Sequence, residues 1–205
     1  PRLAQLPGDR QSLQVLLVAW QRLGRGGEAR SELDAALERH SQLHDLWLAR
    51  LAVAPVGSDE AVDVVERWLV AMPEHLPALE ARMRLHDMKD EADAAEAVAR
   101  RIVALEPGRA SGEQRIVEAL LAREPAAAIA HVQTLLDNAP EAARPLLRNW
   151  LGVVQDRAGE PAAALATWLQ QHAEQAPHRL PLQPQAKAPA SWPALGEVAQ
   201  DKPQR

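Results

Sequence analysis

His40 and His44 stand four residues apart, a spacing that can bring two imidazoles onto one helix face within reach of one metal ion. Two ligands fall short of the four that a structural zinc ion takes, and a chain with no cysteine has no thiolate to add. Ser41 lies between them at a junction of the repeat pattern described below, so the two side chains are expected to straddle a turn. No metal site is expected. Asp87, Asp90, Glu91, Asp93 and Glu96 form the one acidic cluster, relieved only by Lys89. It reads as a solvated turn and first helical turn, where carboxylates are favoured by the helix N-terminus. Gly24, Gly26 and Gly27 lack the preceding strand that a phosphate-cradling loop needs, and read as an inter-helix turn. The patterns G-x4-G-K-[ST], G-x-G-x-x-G, G-x-S-x-G and H-E-x-x-H are all absent. Carboxylates recur beside arginines at i,i+3 and i,i+4, surface pairs worth about 0.2–0.5 kcal/mol each, and none stands out as an acid/base couple. The chain is expected to be non-catalytic and to need no cofactor.

The elements that carry these residues follow from composition. The chain has 205 residues and a mass of 22.4 kDa, enough for one domain or a short repeat array. Alanine, leucine, arginine and glutamate dominate, a helix-forming diet, while valine and isoleucine are sparse. Net charge is −5 and pI about 5.8, with acidic and basic residues interleaved, which argues against a nucleic-acid partner. Apolar runs are too short to span a membrane, and no basic patch precedes an apolar stretch near the start. A cytoplasmic location is the expectation.

A repeat organises the chain. Pro73 and Pro107 are 34 residues apart, Pro107 and Pro140 33, and Pro7 lies 66 before Pro73. Twelve residues before the three internal prolines stand Ala61, Ala95 and Ala128; Ala29 precedes Ser41 by 12 and Ala164 precedes Pro177 by 13. Between these marks the apolar pattern predicts helix pairs: 10–23 with 28–39, 44–54 with 59–71, 77–87 with 91–105, 111–123 with 126–138, and 142–157 with 161–175. Ser58 before Asp59 and Glu60 is a natural N-cap, and Pro161 suits a first helical turn.

This spacing resembles the tetratricopeptide repeat, W-x2-L-G-x2-Y, then A-x3-F, then P, over 34 residues. Leu151-Gly152, Asp156-Arg-Ala-Gly159-Glu-Pro-Ala-Ala-Ala164 and Trp168 carry it in the last pair. Trp20, Leu23-Gly24-Arg25, Ala29 and Leu33 carry it in the first. The chain departs from the pattern in lacking every Tyr and Phe and in a shortened second pair, so the register of the second and fourth pairs stays open. The resemblance implies an all-α, right-handed solenoid of about five helix pairs over 1–177. A Pro-rich extended tail or linker follows over 178–205, with Leu180, Leu182 and Trp192 as its anchors. Trp20 and Trp168 are expected to fill the core, as are Trp47 and Trp68, while Trp150 is the best candidate for a binding aromatic.

In arrays of this kind the first helix of each pair lines a concave groove. Projected onto this sequence, groove positions are Gln14, Val18 and Gln21 in the first pair, Glu80, Arg84 and Asp87 in the third, and Asn149, Val153 and Asp156 in the fifth, with Trp150 beside them. The Lys/Arg and Asn clamp by which some relatives hold a terminal carboxylate is missing, so a mixed polar and apolar peptide is the expected ligand. The resemblance thus implies a protein- or peptide-binding scaffold. An alternative is the recruiting repeat region of a larger enzyme, in the layout of bacterial repeat–sulfotransferase-like fusions, with a further domain after the tail. Since Pro7 sits where a repeat would end, the chain reads as beginning mid-repeat, and Leu3 and Leu6 would then invite end-to-end self-association.

Overall fold

The computed structural model describes residues 8–178, in which ten α-helices and two short 3-10 turns, but no strand, are found. The helices are α1 Arg10–Arg22, α2 Gly26–Arg39, α3 His44–Ala52, α4 Asp59–Ala71, α5 Leu76–Met88, α6 Ala92–Leu105, α7 Ala110–Arg123, α8 Pro125–Asn138, α9 Arg144–Arg157 and α10 Pro161–Gln175. None is long and apolar enough to cross a membrane. The proposed half-helix around Leu3 and Leu6 and the Pro-rich tail lie outside the described residues.

Local chemistry sets the boundaries. Asp9 caps α1 by accepting from the Ser12 amide at 2.9 Å, and Ser58 caps α4 by accepting from Ala61 at 3.2 Å. Pro77, Pro125, Pro145 and Pro161 occupy the first turns of α5, α8, α9 and α10, where a missing N–H costs nothing. Three boundaries differ from the pattern by two residues. Helix α2 begins at Gly26, so Gly26 and Gly27 form its first turn and of the three glycines only Gly24 lies in the link. Helix α3 stops at Ala52 because the chain is already turning, with Ala54 N–H donating to Leu51 O at 3.1 Å ahead of Pro55. The ninth helix opens with a 3-10 turn, Glu141–Ala143, so the α-helix proper begins at Arg144.

The five spaced alanines lie in the interior of the fold. Ala29, Ala61, Ala95, Ala128 and Ala164 are all buried, each on the second helix of its pair, where a larger side chain would hold the helices apart. Five residues before three of them the backbone turns left-handed, at Gly24, Asp90 and Gly159. In the second pair the left-handed residue is Gly57, four residues before Ala61, and in the fourth only Glu124 separates α7 from α8. Those two departures are the physical reason that the register of these pairs is unreadable from the repeat pattern.

Packing runs between consecutive helices, with α1 also against α3, as expected when each pair can cover its apolar face only with its neighbours. Most of the buried apolar residues fall into two clusters. One runs from Leu13 to Ile116 and includes Trp47 and Trp68; the other comprises Val117, Ala128, Val132, Leu136, Leu151 and Val154. Leu120 of α7 packs against both.

Candidate functional site

Helices α5, α7 and α9, alternate in sequence, together line an open cavity of about 440 Å³. Its walls are Glu80, Met83, Arg84 and Asp87 of α5, Ser111, Gln114, Arg115 and Glu118 of α7, and Trp150 of α9. Ion pairs fix the spacing of these helices. Glu80 accepts from Arg109 Nε at 2.9 Å and from the Ser111 hydroxyl at 2.6 Å, while Asp87 accepts from Arg115 Nε at 2.7 Å. Across the other side, Arg157 Nη2 donates to Glu118 at 2.6 Å and ties α9 to α7.

These contacts set the charge state. Burial pushes the Glu80 carboxyl up, but the hydrogen bonds from Arg109 and Ser111 and the Arg109 charge outweigh it and hold it below the ordinary carboxylate value. The hydrogen bond from Arg157 likewise draws Glu118 down, against the opposing effect of burial. Carboxylates held down in this way are weak bases near neutral pH, which suits fixed recognition charges better than proton transfer. Arg84 stands apart: it is exposed and, among the described residues, makes no hydrogen bond or ion pair, though its charge contributes to lowering Glu80.

A second cavity of about 750 Å³ adjoins the first, sharing Gln114 and Trp150 with it. Its lining is mainly apolar and includes Leu135, Pro140, Leu146, Leu147 and Val153, with Asn149 at its edge. Trp150 is half-buried, packs on the second core cluster and lines both cavities.

Of the residues projected from sequence, Glu80, Arg84, Asp87 and Trp150 line one cavity, and Asn149, Trp150 and Val153 the other. Asp156 is exposed on α9, and Gln14, Val18 and Gln21 are exposed on α1; these four line neither cavity. The α7 contribution was missed, yet a signal for it existed: Gln114 and Glu118 stand 34 residues after Glu80 and Arg84, one full repeat. The uncertain register of the fourth pair hid it.

The two histidines do belong to different elements, His40 following α2 and His44 opening α3. The partner of His44 is His75, whose Nε2 lies 2.8 Å from His44 Nδ1. Trp68 sits against both rings, with centroids at 5.5 and 5.4 Å, and stacks on Trp47. Burial, then the His44 charge, lowers the His75 pKa below its ordinary value. Among the described residues no three His, Asp or Glu side chains converge as a metal site would require.

Known structures share the helical fold. The MamA protein superposes with a TM-score of 0.57 at 15% identity, covering 85% of this chain and 98% of that one. A tetratricopeptide repeat protein from Parabacteroides merdae gives 0.54 at 17% identity, covering 87% and 70%. Kinesin light chain TPR-like repeats from Podosopora anserina give 0.56 at 16% identity, covering 85% and 99%. The fold is that of the tetratricopeptide repeat. No family model matches the sequence, and no curated protein is similar to it. The likeness is therefore one of tetratricopeptide-type architecture, reached through spacing and small-residue packing with few shared side chains.

Proposed function

We propose that this chain is a non-catalytic scaffold whose groove holds a peptide or a protein segment. The reading takes 1–177 as a right-handed solenoid of five helix pairs, with α1, α3, α5, α7 and α9 on its concave side. Its main support is the way Gln114 and Trp150 join a charged cavity containing the free Arg84 guanidinium to an apolar one, making a single trough. A matching ligand would lay apolar side chains against Leu146, Leu147 and Val153 and direct a carboxylate toward Arg84, where a bidentate pair can form. If the chain works within a larger protein, as in the sulfotransferase-like layout, the same trough would recruit that protein's partner.

The test is selection from a random displayed-peptide library on the full chain, followed by titration calorimetry of the selected peptides. The peptides are expected to combine apolar residues with an acidic one, and Trp150→Ala and Arg84→Glu to weaken them at least tenfold. Peptides that bind both variants as tightly as the parent would show that the trough is not the binding site.

A further inference from the structure

Among the described residues two carboxylates are buried, those of Glu96 and Glu113, with side chains 8% and 4% exposed. Their partners differ in kind. Glu96 is held by two guanidinium groups, those of Arg100 and Arg123. Glu113, the more buried of the two, has no arginine or lysine partner among the described residues. Its Oε1 accepts from the Gly108 amide at 3.2 Å, and its Oε2 lies 2.7 Å from His131 Nε2. A neutral imidazole makes this contact by donating its Nε2–H, so the pair carries one negative charge. An ionised carboxylate offers about four acceptor positions, and these two donors leave the others open. A buried carboxylate ordinarily stands opposite a cation, because its desolvation is costly without one.

Glu113 is also the one charged residue in the wall of the larger, mainly apolar cavity, and Gly108, whose amide holds it, lines the same cavity. We infer that this cavity is a lysine pocket. A lysine of the bound peptide lays its methylene stem against Leu147, Val153 and Trp150 and brings its ammonium to Glu113. The inference rests on the peptide-binding reading of the trough and names the side chain that its apolar end selects. A stem of methylenes matches the apolar wall, and the ammonium supplies the cation that Glu113 lacks. The indole of Trp150 adds to the preference for a cation. Arginine suits the pocket less well, because its five N–H donors exceed what one partly occupied carboxylate can accept, whereas an ammonium has three. Arg84 lines only the charged cavity and Glu113 only the apolar one, with Gln114 and Trp150 in both. A bound segment therefore carries its acidic residue on the Arg84 side and its lysine on the Glu113 side, which fixes the order of the two along the trough.

The experiment is parallel selection of a random displayed-peptide library on the full chain and on its Glu113→Gln variant, followed by titration calorimetry. Peptides selected on the parent are expected to carry lysine at one position, several-fold above its frequency in the library. That enrichment should vanish on Glu113→Gln. Replacing the lysine by norleucine, which keeps the stem and removes the ammonium, should weaken binding to the parent at least tenfold. Replacing it by arginine should weaken binding several-fold. The norleucine comparison uses the parent protein alone, so it decides the matter even where Glu113→Gln impairs folding. Equal affinity for the lysine and norleucine forms overturns the pocket, as does arginine bound as tightly as lysine or an enrichment that survives Glu113→Gln. Peptides that need Trp150 but contain no lysine sink this inference and leave the trough standing. Peptides indifferent to both Trp150→Ala and Arg84→Glu sink the trough and the pocket with it.

Discussion

Gly152 of α9 lies directly beneath the indole of Trp168 on α10. A Cβ at Gly152 would stand 2.6 Å from Trp168 Cε2 and 2.8 Å from Cδ1, well inside contact distance. The absent side chain lets the two helices close, and the Trp168 N–H then reaches the Asn149 carbonyl at 3.4 Å. The glycine and the tryptophan form one packing unit.

That coupling is open to a double-mutant cycle. Gly152→Ala gains about 1 kcal/mol of helix propensity but overpacks the indole at about 1–3 kcal/mol, so a net loss near 1 kcal/mol is expected. In a Trp168→Ala background the clash disappears and the same change should stabilise the fold. Urea denaturation of the four proteins checks the reversal of sign.

Trp68 is fully buried, yet its Nε1 has no hydrogen-bond partner among the described residues. Trp68→Phe keeps most of the apolar contact and removes the unsatisfied donor, so it should cost less than about 2 kcal/mol. Trp68→Ala, which opens a cavity beside His44 and His75, should cost about 3–5 kcal/mol. Thermal unfolding distinguishes them.

Stability should fall in two steps on acidification. The folded pKa of His75 lies below its ordinary 6.5, so its contribution is complete above 6.5 and is lost as pH falls from there through the folded value. For Glu80, Glu96 and Glu118 the folded value lies below 4.5, so their contributions are complete above 4.5 and are lost as pH falls through the lower folded values. His75→Gln should abolish the first step and leave the second. Melting temperatures measured from neutral to about pH 3 would show it.

Salt offers an independent check on the trough. A ligand carboxylate paired with Arg84 at an exposed rim should weaken several-fold between low and high ionic strength, while the apolar contribution of Trp150 persists. Arg84→Gln should flatten the salt dependence measured by calorimetry, and Trp150→Ala should leave its slope unchanged.

The helices were legible because their signals are local. Apolar spacing, Ser58 and Pro161 mark where helices start, and each boundary falls within two residues of its expected place. The alanine spacing was legible too, because a buried helix crossing accepts only small residues there. The trough was half legible. Glu80 and Arg84 follow from projecting the groove positions that the repeat resemblance implies, and Trp150 from its place beside Leu151-Gly152, but the α7 wall depends on a register that the one-residue Glu124 link obscures. The pairing of His44 with His75 was not legible at all, since it depends on how α3, α4 and α5 stack around Trp68. The nearer neighbour in sequence, His40, was the distracting one.

Ile116 belongs to one buried cluster and Val117 to the other, so α7 is a party wall between two cores. Among the described residues, Leu120 is the one partly buried side chain that packs on both cores. The trough straddles that seam, with α5 on one side and α9 on the other. On the binding reading proposed above, a seated ligand would touch helices that belong to both cores.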